Sequence, residues 1–137
     1  MTSAPFIYPQ KVLFKHCDPA GIVFYPRYFE MINDCVEAYF DQIGFPFEEL
    51  HKSGGVPTAQ IETKFTAPSR HGDHLNLSLE LTHVGGASLN IAVKAVSGEE
   101  IRFAAALTIV HVNASGRSAS WPAPMRHAFI PNLRSIQ

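Results

Sequence analysis

The spacing of hydrophobic residues changes along the chain and marks out one helical segment. From Pro26 to Ile43 apolar residues recur three or four positions apart, the spacing that lines one face of an α-helix. The residues on this face are Phe29, Ile32, Val36, Phe40 and Ile43. Pro26 suits the first helical position, where its missing N–H is not needed, and Gly44 suits the position just after a helix. The pattern therefore predicts a long helix over residues 26–43.

The part of the chain after this helix is typical of β-strands. Apolar and polar residues alternate over 75–81 and again over 89–93, so that every second side chain points to the same face. A glycine pair at 85–86 predicts a tight hairpin between these two strands. A Ser-Gly pair at 97–98 predicts a turn into a last long strand over 101–112.

Three further segments have weaker patterns. Apolar runs at 6–8 and 12–14 predict an opening extended segment that Pro9 interrupts. A short helix is predicted over 47–52. The C-terminal tail is predicted to be irregular because it contains three prolines, Pro122, Pro124 and Pro131.

Taken in order, these elements predict an α+β fold with an opening strand, a turn, one long helix and four strands joined mainly by hairpins. A helix with one apolar face needs a sheet to cover it, and antiparallel strands supply that sheet. Because the helix is a single interruption in a β chain, alternating βαβ units are excluded. A chain of 137 residues fits a single domain over 1–137, and its sequence contains no internal repeat, low-complexity tract or linker.

Composition and charge narrow the class of partner. The chain is 46% hydrophobic and 17% charged, as expected of a globular protein. Its net charge of -1 provides no strong field to attract nucleic acid or an anionic membrane. No apolar run approaches the roughly 20 residues of a membrane span, and the N-terminus lacks the pattern of a signal peptide. Cys17 and Cys35 match neither a disulfide framework nor a metal motif, so we expect a cytoplasmic protein.

Asp18 is the first candidate for chemistry. It begins the segment Asp-Pro-Ala-Gly at 18–21, a strong turn signal just before the predicted helix. A carboxylate there could lie beside the helix N-terminus, whose unpaired amides can stabilise the oxyanion formed when a thioester carbonyl is attacked. The carboxylate would then attack the carbonyl itself or activate water. Spacing alone favours the simpler interpretation, in which Asp18 only bonds to the backbone of its own turn.

The other chemistry-bearing residues give weaker signals. The seven histidines form no zinc motif, so most are expected at the surface and no metal site is assigned. The sequence has no Gly-x-Ser-x-Gly nucleophile motif and no phosphate-binding glycine loop. Cys17 has no histidine clearly placed as its base and is interpreted as a packed thiol. Asn33, one turn beyond Phe29, is expected to point inward, where it either bonds to backbone or contacts a ligand in a mostly apolar pocket.

Two stretches of sequence resemble a known family. Residues 16–30, HCDPAGIVFYPRYFE, closely resemble the signature of 4-hydroxybenzoyl-CoA-type hotdog thioesterases, and residues 64–68 with 72–75 resemble the next strand pair of that family. With the strand order, the resemblance covers about residues 8–112. It implies a hotdog fold, in which the β-sheet wraps around the central helix. It also implies an acyl-CoA substrate, no cofactor, and homodimers, often paired into homotetramers, with active sites at the dimer interface.

The resemblance also implies roles for individual residues. It makes Asp18 the catalytic carboxylate, as nucleophile or general base, and Tyr25 the source of an oxyanion-binding backbone amide. This agrees with the helix prediction, because Pro26 has no N–H to offer. The predicted substrate-binding residues are Gly21, Phe24, Tyr28, Asn33 and Val56.

Three departures from the family pattern bear on the substrate. The position of Asn33 is an aspartate in the 4-hydroxybenzoyl-CoA enzymes, where it contacts the phenol hydroxyl, and Val56 replaces a polar pocket residue. Both changes favour a less polar acyl group, such as benzoyl, another aryl group or a short aliphatic chain. The basic cluster that holds the CoA phosphates falls on 85–87, where it is missing here. Arg117 and Arg126 are the remaining candidates for CoA binding.

Three alternatives to acyl-CoA hydrolysis exist, and the residues support them unequally. A hotdog hydratase commonly places a histidine five residues after the aspartate, but that position is Val23 here. A non-catalytic acyl-binding module is disfavoured by the retention of Asp18, Gly21 and Tyr25. A thioesterase that acts on acyl carrier protein stays open, since the charge count does not reveal a docking face.

Overall fold

The computed structural model describes residues 4–134, so the two ends of the predicted 1–137 domain, residues 1–3 and 135–137, lie outside the described residues. The strands are β1 (Phe6–Lys11), β2 (Gly54–Gly55), β3 (Thr58–Phe65), β4 (His74–Val84), β5 (Ser88–Ser97), β6 (Glu100–Val110) and β7 (Val112–Asn113). The helices are α1 (Tyr25–Gln42), α2 (Phe47–Leu50) and α3 (Ala123–Phe129), with 3-10 turns at Phe14–His16 and Ile130–Asn132.

Five strands form one antiparallel sheet in the order β1-β4-β5-β6-β3, while β2 and β7 form a separate two-stranded ribbon. The alternation predicted for the strands is confirmed, since the side chains at positions 75, 77, 79 and 81 of β4 are all buried. The hairpin predicted at 85–86 joins β4 to β5. The α+β class and the antiparallel sheet are therefore as expected.

Helix α1 has 18 residues and packs one face against the sheet. Pro26 lies in its first turn, and Gly44 follows its end with a φ of +95°, a backbone conformation that favours glycine. Ring contacts join the two layers: Tyr28 lies 4.9 Å from Phe103 of β6, and Tyr39 lies 5.8 Å from Phe6 of β1. The hydrophobic core thus lies between α1 and one face of the sheet. Within residues 4–134 no helix combines the length and apolar character needed to span a membrane.

The prediction of an irregular C-terminal tail is wrong. Residues 123–129 form α3, which buries Met125 and Phe129 beside Trp121. Pro122 is the N-cap of this helix and Pro124 lies in its first turn. Proline is compatible with these positions because the first helical N–H groups have no partner inside the helix.

The prediction for the opening segment also needs correction. Pro9 does not interrupt β1, because β1 is an edge strand, where a missing N–H breaks no ladder. Residues 12–14 do not continue the strand: Val12 is buried and donates its N–H to the Asp73 carbonyl at 2.8 Å, and Phe14 begins a 3-10 turn. The short helix predicted over 47–52 ends at Leu50.

Candidate active site

Asp18 lies half-buried in the loop that leads into α1. Its carbonyl accepts the N–H of Gly21 at 2.9 Å, and its Oδ1 accepts the N–H of Ala20 at 2.9 Å. Gly21 has a φ of +85°, which the turn requires. The turn therefore accounts for the contact of one carboxylate oxygen of Asp18, Oδ1. Within residues 4–134 no donor contacts Oδ2, so that oxygen can take part in chemistry.

Backbone contacts hold this loop on both sides of Asp18. Cys17 and Val23 pair in an antiparallel bridge, and the Phe24 N–H donates to the His16 carbonyl at 2.9 Å. His16 is buried and its Nδ1 accepts the N–H of Leu13 at 2.8 Å. Burial, followed by the charge of Lys15, lowers the pKa of His16, which favours its neutral form. These contacts fix the position of the loop.

The N-terminus of α1 follows the same loop. The helix begins at Tyr25, Pro26 carries no N–H, and the first helical bond runs from the Arg27 N–H to the Phe24 carbonyl at 2.8 Å. The Tyr25 N–H has no acceptor among residues 4–134. An unpaired amide at a helix N-terminus stabilises negative charge, so Tyr25 can hold a developing oxyanion.

A buried polar network fastens the start of α1 to the sheet. The Tyr28 hydroxyl donates to the Ser69 hydroxyl at 2.8 Å, and the Arg102 guanidinium donates to Ser69 at 3.0 Å and to the Asp73 carboxylate at 2.8 Å. Ser69 also accepts the N–H of Val23 at its carbonyl, which joins the network to the Asp18 loop. The bond from Arg102 lowers the pKa of Asp73, while burial raises that of Tyr28. Sequence analysis missed Ser69 and Arg102.

The larger of two apolar cavities lies between α1 and β3 and has a volume of about 770 Å³. Both Asn33 and Val56, predicted to bind substrate, line it. The expectation that Asn33 points inward is not met, because in the single chain its side chain is exposed at the cavity wall. The remaining polar side chains at this cavity are His51 and Thr58.

The second cavity, of about 610 Å³, lies beside the start of α1 and is lined by Tyr25 and Tyr28. Phe29 separates it from the larger one by packing against both Tyr25 and Phe65, with ring centroids 6.3 Å apart in each pair. Residues 18, 21 and 24 line neither cavity. A single chain therefore places Tyr25 and Tyr28 at the second cavity and Asn33 and Val56 at the larger one, while Asp18 lies at neither.

The two arginines expected to bind CoA lie in different surroundings. Arg117 is exposed in the turn after β7, where its N–H donates to the Asn113 side chain at 3.1 Å. Arg126 extends from α3 to the β4–β5 hairpin and donates to the carbonyls of Gly85 and Gly86 at 2.8 and 3.0 Å. Arg126 thus places a cation at the hairpin over 85–87, where the resemblance implies a basic cluster that this chain lacks.

The free edge of β3 is the most exposed part of the sheet. Nearly every β3 side chain is exposed, including Ile61 and Phe65, and no strand among residues 4–134 pairs with its outer edge. Tyr25, 57% exposed, lies beside this strand and contacts Phe65 at 6.1 Å. In the same described part of the chain, no group of three or more His, Cys, Asp or Glu side chains could hold a metal ion.

Comparison with known proteins agrees with this architecture. The profile of the thioesterase-like superfamily matches residues 12–129. No curated protein gives a significant match. Among solved structures, the chain is similar to a 1,4-dihydroxy-2-naphthoyl-CoA thioesterase from Synechocystis, with 19% identity, 91% of this chain and 95% of that chain covered, and a TM-score of 0.85.

Two other solved structures are similar over most of their length. A gentisyl-coenzyme A thioesterase shares 25% identity, with 90% of this chain and 98% of that chain covered and a TM-score of 0.82. A thioesterase-superfamily protein from Jannaschia shares 22% identity, with 98% and 99% covered and a TM-score of 0.88. The likeness extends over the antiparallel sheet and the helices, and the fold is the hotdog fold. The chain belongs to the thioesterase-like superfamily.

Proposed function

We propose that the protein hydrolyses an aryl- or short-chain acyl-CoA thioester to the free acid and CoA. The observation that carries this proposal is the placement of Asp18 in a fixed loop directly before the N-terminus of α1, where the Tyr25 N–H is unpaired. A carboxylate and an oxyanion-binding amide are the two groups that hydrolysis of a thioester needs.

The proposed chemistry follows one of two routes at the same residue. In the first, Asp18 attacks the thioester carbonyl, the Tyr25 amide stabilises the oxyanion, and the CoA thiolate leaves; water then hydrolyses the resulting anhydride. In the second, Asp18 removes a proton from water, and the hydroxide attacks the carbonyl directly. Both routes release the acid and the CoA thiol without a cofactor.

We assign the acyl group to the larger cavity. Its volume of about 770 Å³ lies within the range of small-molecule sites, and its wall is mostly apolar. Asn33 and Val56 contact the acyl group there in this proposal, while residues 21, 24 and 28 shape the passage from the Asp18 loop. The hydroxyl of Tyr28 is bonded to Ser69, so Tyr28 contributes its ring.

For the CoA phosphates we favour Arg126 over Arg117. The Arg126 guanidinium is already held at the β4–β5 hairpin by two carbonyls, which lowers the entropy lost when it binds an anion. Arg117 lies exposed in a turn with no such contact of its guanidinium in the described part of the chain. It remains the second candidate.

We also propose that two chains join through β3 and that two such dimers can form a tetramer. Pairing two β3 edges would satisfy their free N–H and C=O groups and cover Ile61 and Phe65. It would bring the cavities of the two chains together, with α1 as the central helix of each hotdog. We expect this assembly in the cytoplasm, because Cys17 and Cys35 are free thiols and a reducing compartment suits them.

The proposal is tested by a thiol-release assay over a panel of aryl- and alkyl-CoA esters. We expect the Asp18→Asn variant to lose roughly 10²–10⁴-fold in kcat, because the carboxylate takes part directly in the chemistry. The control is Asp41→Asn, an exposed aspartate at the far end of α1, which we expect to keep wild-type turnover. Equal rates for wild type and Asp18→Asn would remove Asp18 from the mechanism. Turnover of acyl carrier protein thioesters alone would move the activity to that substrate class.

A further inference from the structure

His51 is a polar group in the larger cavity that the proposed mechanism does not use. The cavity is lined mainly by aliphatic and aromatic side chains from α1, β3 and β6. His51 directly follows α2 and lines the same cavity. The His51 side chain is exposed at this wall, so an acyl group that enters the cavity would take its ring out of water unless it replaces the contacts made there.

The proton on the His51 ring is placed by its backbone contact. Nδ1 lies 2.8 Å from the carbonyl oxygen of Phe47. A carbonyl only accepts hydrogen bonds, so Nδ1 must carry the hydrogen, and in the neutral ring Nε2 is then an acceptor. The ring also packs edge to face on Phe47, with centroids 5.1 Å apart. Two contacts with one residue therefore fix both the tautomer and the position of the ring.

The edge of the ring that carries Nε2 faces Gly55. A Cβ built on Gly55 would lie 3.7 Å from Cδ2 and 3.8 Å from Nε2 of His51. The neighbouring Gly54 leaves no room for a side chain, because its Cβ would clash with the Val112 carbonyl oxygen. The β2–β7 ribbon is thus closely packed, and the glycine beside Nε2 leaves space for a ligand atom.

From these contacts we propose that His51 selects acyl groups that carry a hydroxyl, which donates a hydrogen bond to Nε2. This inference rests on the assignment of the acyl group to the larger cavity. An acyl group without a donor would cover Nε2 and remove its contact with water without replacing it, which costs binding free energy. A hydroxylated acyl group replaces that bond and also fills the apolar cavity. Asn33 lines the same cavity but carries no charge, so the acceptor proposed here is His51 and not the position where the 4-hydroxybenzoyl-CoA enzymes carry an aspartate.

The test measures binding without catalysis. We would compare non-hydrolysable phenacyl-CoA thioethers that carry a hydroxyl or a fluorine at the same ring position, for each of the three positions. Fluorine is close to a hydroxyl in size but donates no hydrogen bond. At the preferred position the wild-type protein should bind the hydroxylated thioether about three- to tenfold more tightly, as expected for one neutral hydrogen bond.

The variant His51→Phe keeps a ring of similar size but has no acceptor, so the affinity ratio should fall to about one. His127→Phe, at an exposed histidine of α3 outside the cavity, is the matched control and should keep the wild-type ratio. A melting curve for each variant checks that it is folded.

Three results would overturn the inference: equal affinity of the wild type for both thioethers at every position, an unchanged ratio in His51→Phe, or no binding of any thioether. Because the thioethers do not react, these outcomes are separate from the turnover of Asp18→Asn. Loss of the hydroxyl preference in His51→Phe, together with unchanged turnover in Asp18→Asn, would sustain the role of His51 and reject the catalytic role of Asp18.

Discussion

At the scale of single residues, Asp18 combines a structural and a proposed chemical role. Its Oδ1 accepts the Ala20 N–H within the turn, which an asparagine at position 18 can also do. The Asp18→Asn variant therefore removes the charge while it keeps the turn. An alanine would remove both, and its effect on activity would mix a changed loop with lost chemistry.

His16, two residues before Asp18, gives the loop a predictable pH dependence. Burial lowers its pKa in the folded protein below the value of about 6.5 typical of an unfolded chain. Between these two values the unfolded state binds more protons, so the unfolding free energy rises with pH. The contribution of His16 should be complete above about pH 7 and fall as the pH drops through 6.5 toward the folded pKa.

The measurement compares denaturant unfolding of the wild type and His16→Asn between pH 7.5 and 5.5. The wild type should lose stability more steeply over this range, because the variant has no group that titrates at position 16. His74→Asn, at an exposed histidine, serves as the control. Parallel curves for wild type and His16→Asn would contradict the prediction.

At the scale of elements, the orientation of α1 depends on a contact with the loop between β3 and β4. Ser69 is fully buried and accepts hydrogen bonds from both Tyr28 and Arg102. These bonds hold the first turns of α1 against the loop and β6. The direction of the Tyr25 N–H, one turn earlier in the helix, depends on the same hydrogen bonds.

Ser69→Ala should destabilise the protein by about 1–3 kcal/mol, because the buried Tyr28 hydroxyl is left without its acceptor. Tyr28→Phe should cost less, about 0.5–1.5 kcal/mol, since Ser69 keeps the bond from Arg102. The double variant should be less destabilised than the sum of the two single variants, because the unpaired hydroxyl is gone. Urea unfolding of all four proteins measures this, and strict additivity would show that the two side chains are not coupled.

At the scale of the whole molecule, the outer edge of β3 is the surface through which we propose that two chains pair. The opposite edge strand, β1, also carries an exposed isoleucine, Ile7, at 47% exposure against 39% for Ile61 of β3. Exposure of an isoleucine alone therefore does not distinguish the two edges. The β3 edge differs because Phe65 and Tyr25 extend its apolar surface.

We expect the wild-type protein to be a dimer or tetramer in solution and Ile61→Glu to shift it toward the single chain, since a buried unpaired charge opposes association. Ile7→Glu makes the same chemical change on β1 and should leave the assembly intact. Sedimentation velocity at several concentrations measures both. A monomeric wild type, or equal dissociation by the two substitutions, would reject pairing through β3.

Local patterns in the sequence predicted much of the fold. The spacing over 26–43 located α1, and the alternating leucines located β4. Prediction failed where one residue type fits two structures. Pro9 lies in an edge strand and Pro124 in the first turn of a helix, yet both are typical of irregular chain as well. The place of each proline in the tertiary structure decides between these possibilities, and the neighbouring sequence does not specify that place.

For the site, the sequence by itself determined the turn at Asp18 and, to within one residue, the helix start, which was predicted at Pro26 and lies at Tyr25. Both depend on residues within a few positions of one another. Only the tertiary structure decided the contacts between distant residues. Tyr28 meets Ser69, and Arg126 meets Gly85, in each case across 41 positions of sequence. His51 reaches the cavity because α2 and the β2–β7 ribbon place it there. Such contacts arise from the packing of whole elements, and no local spacing of residues specifies them.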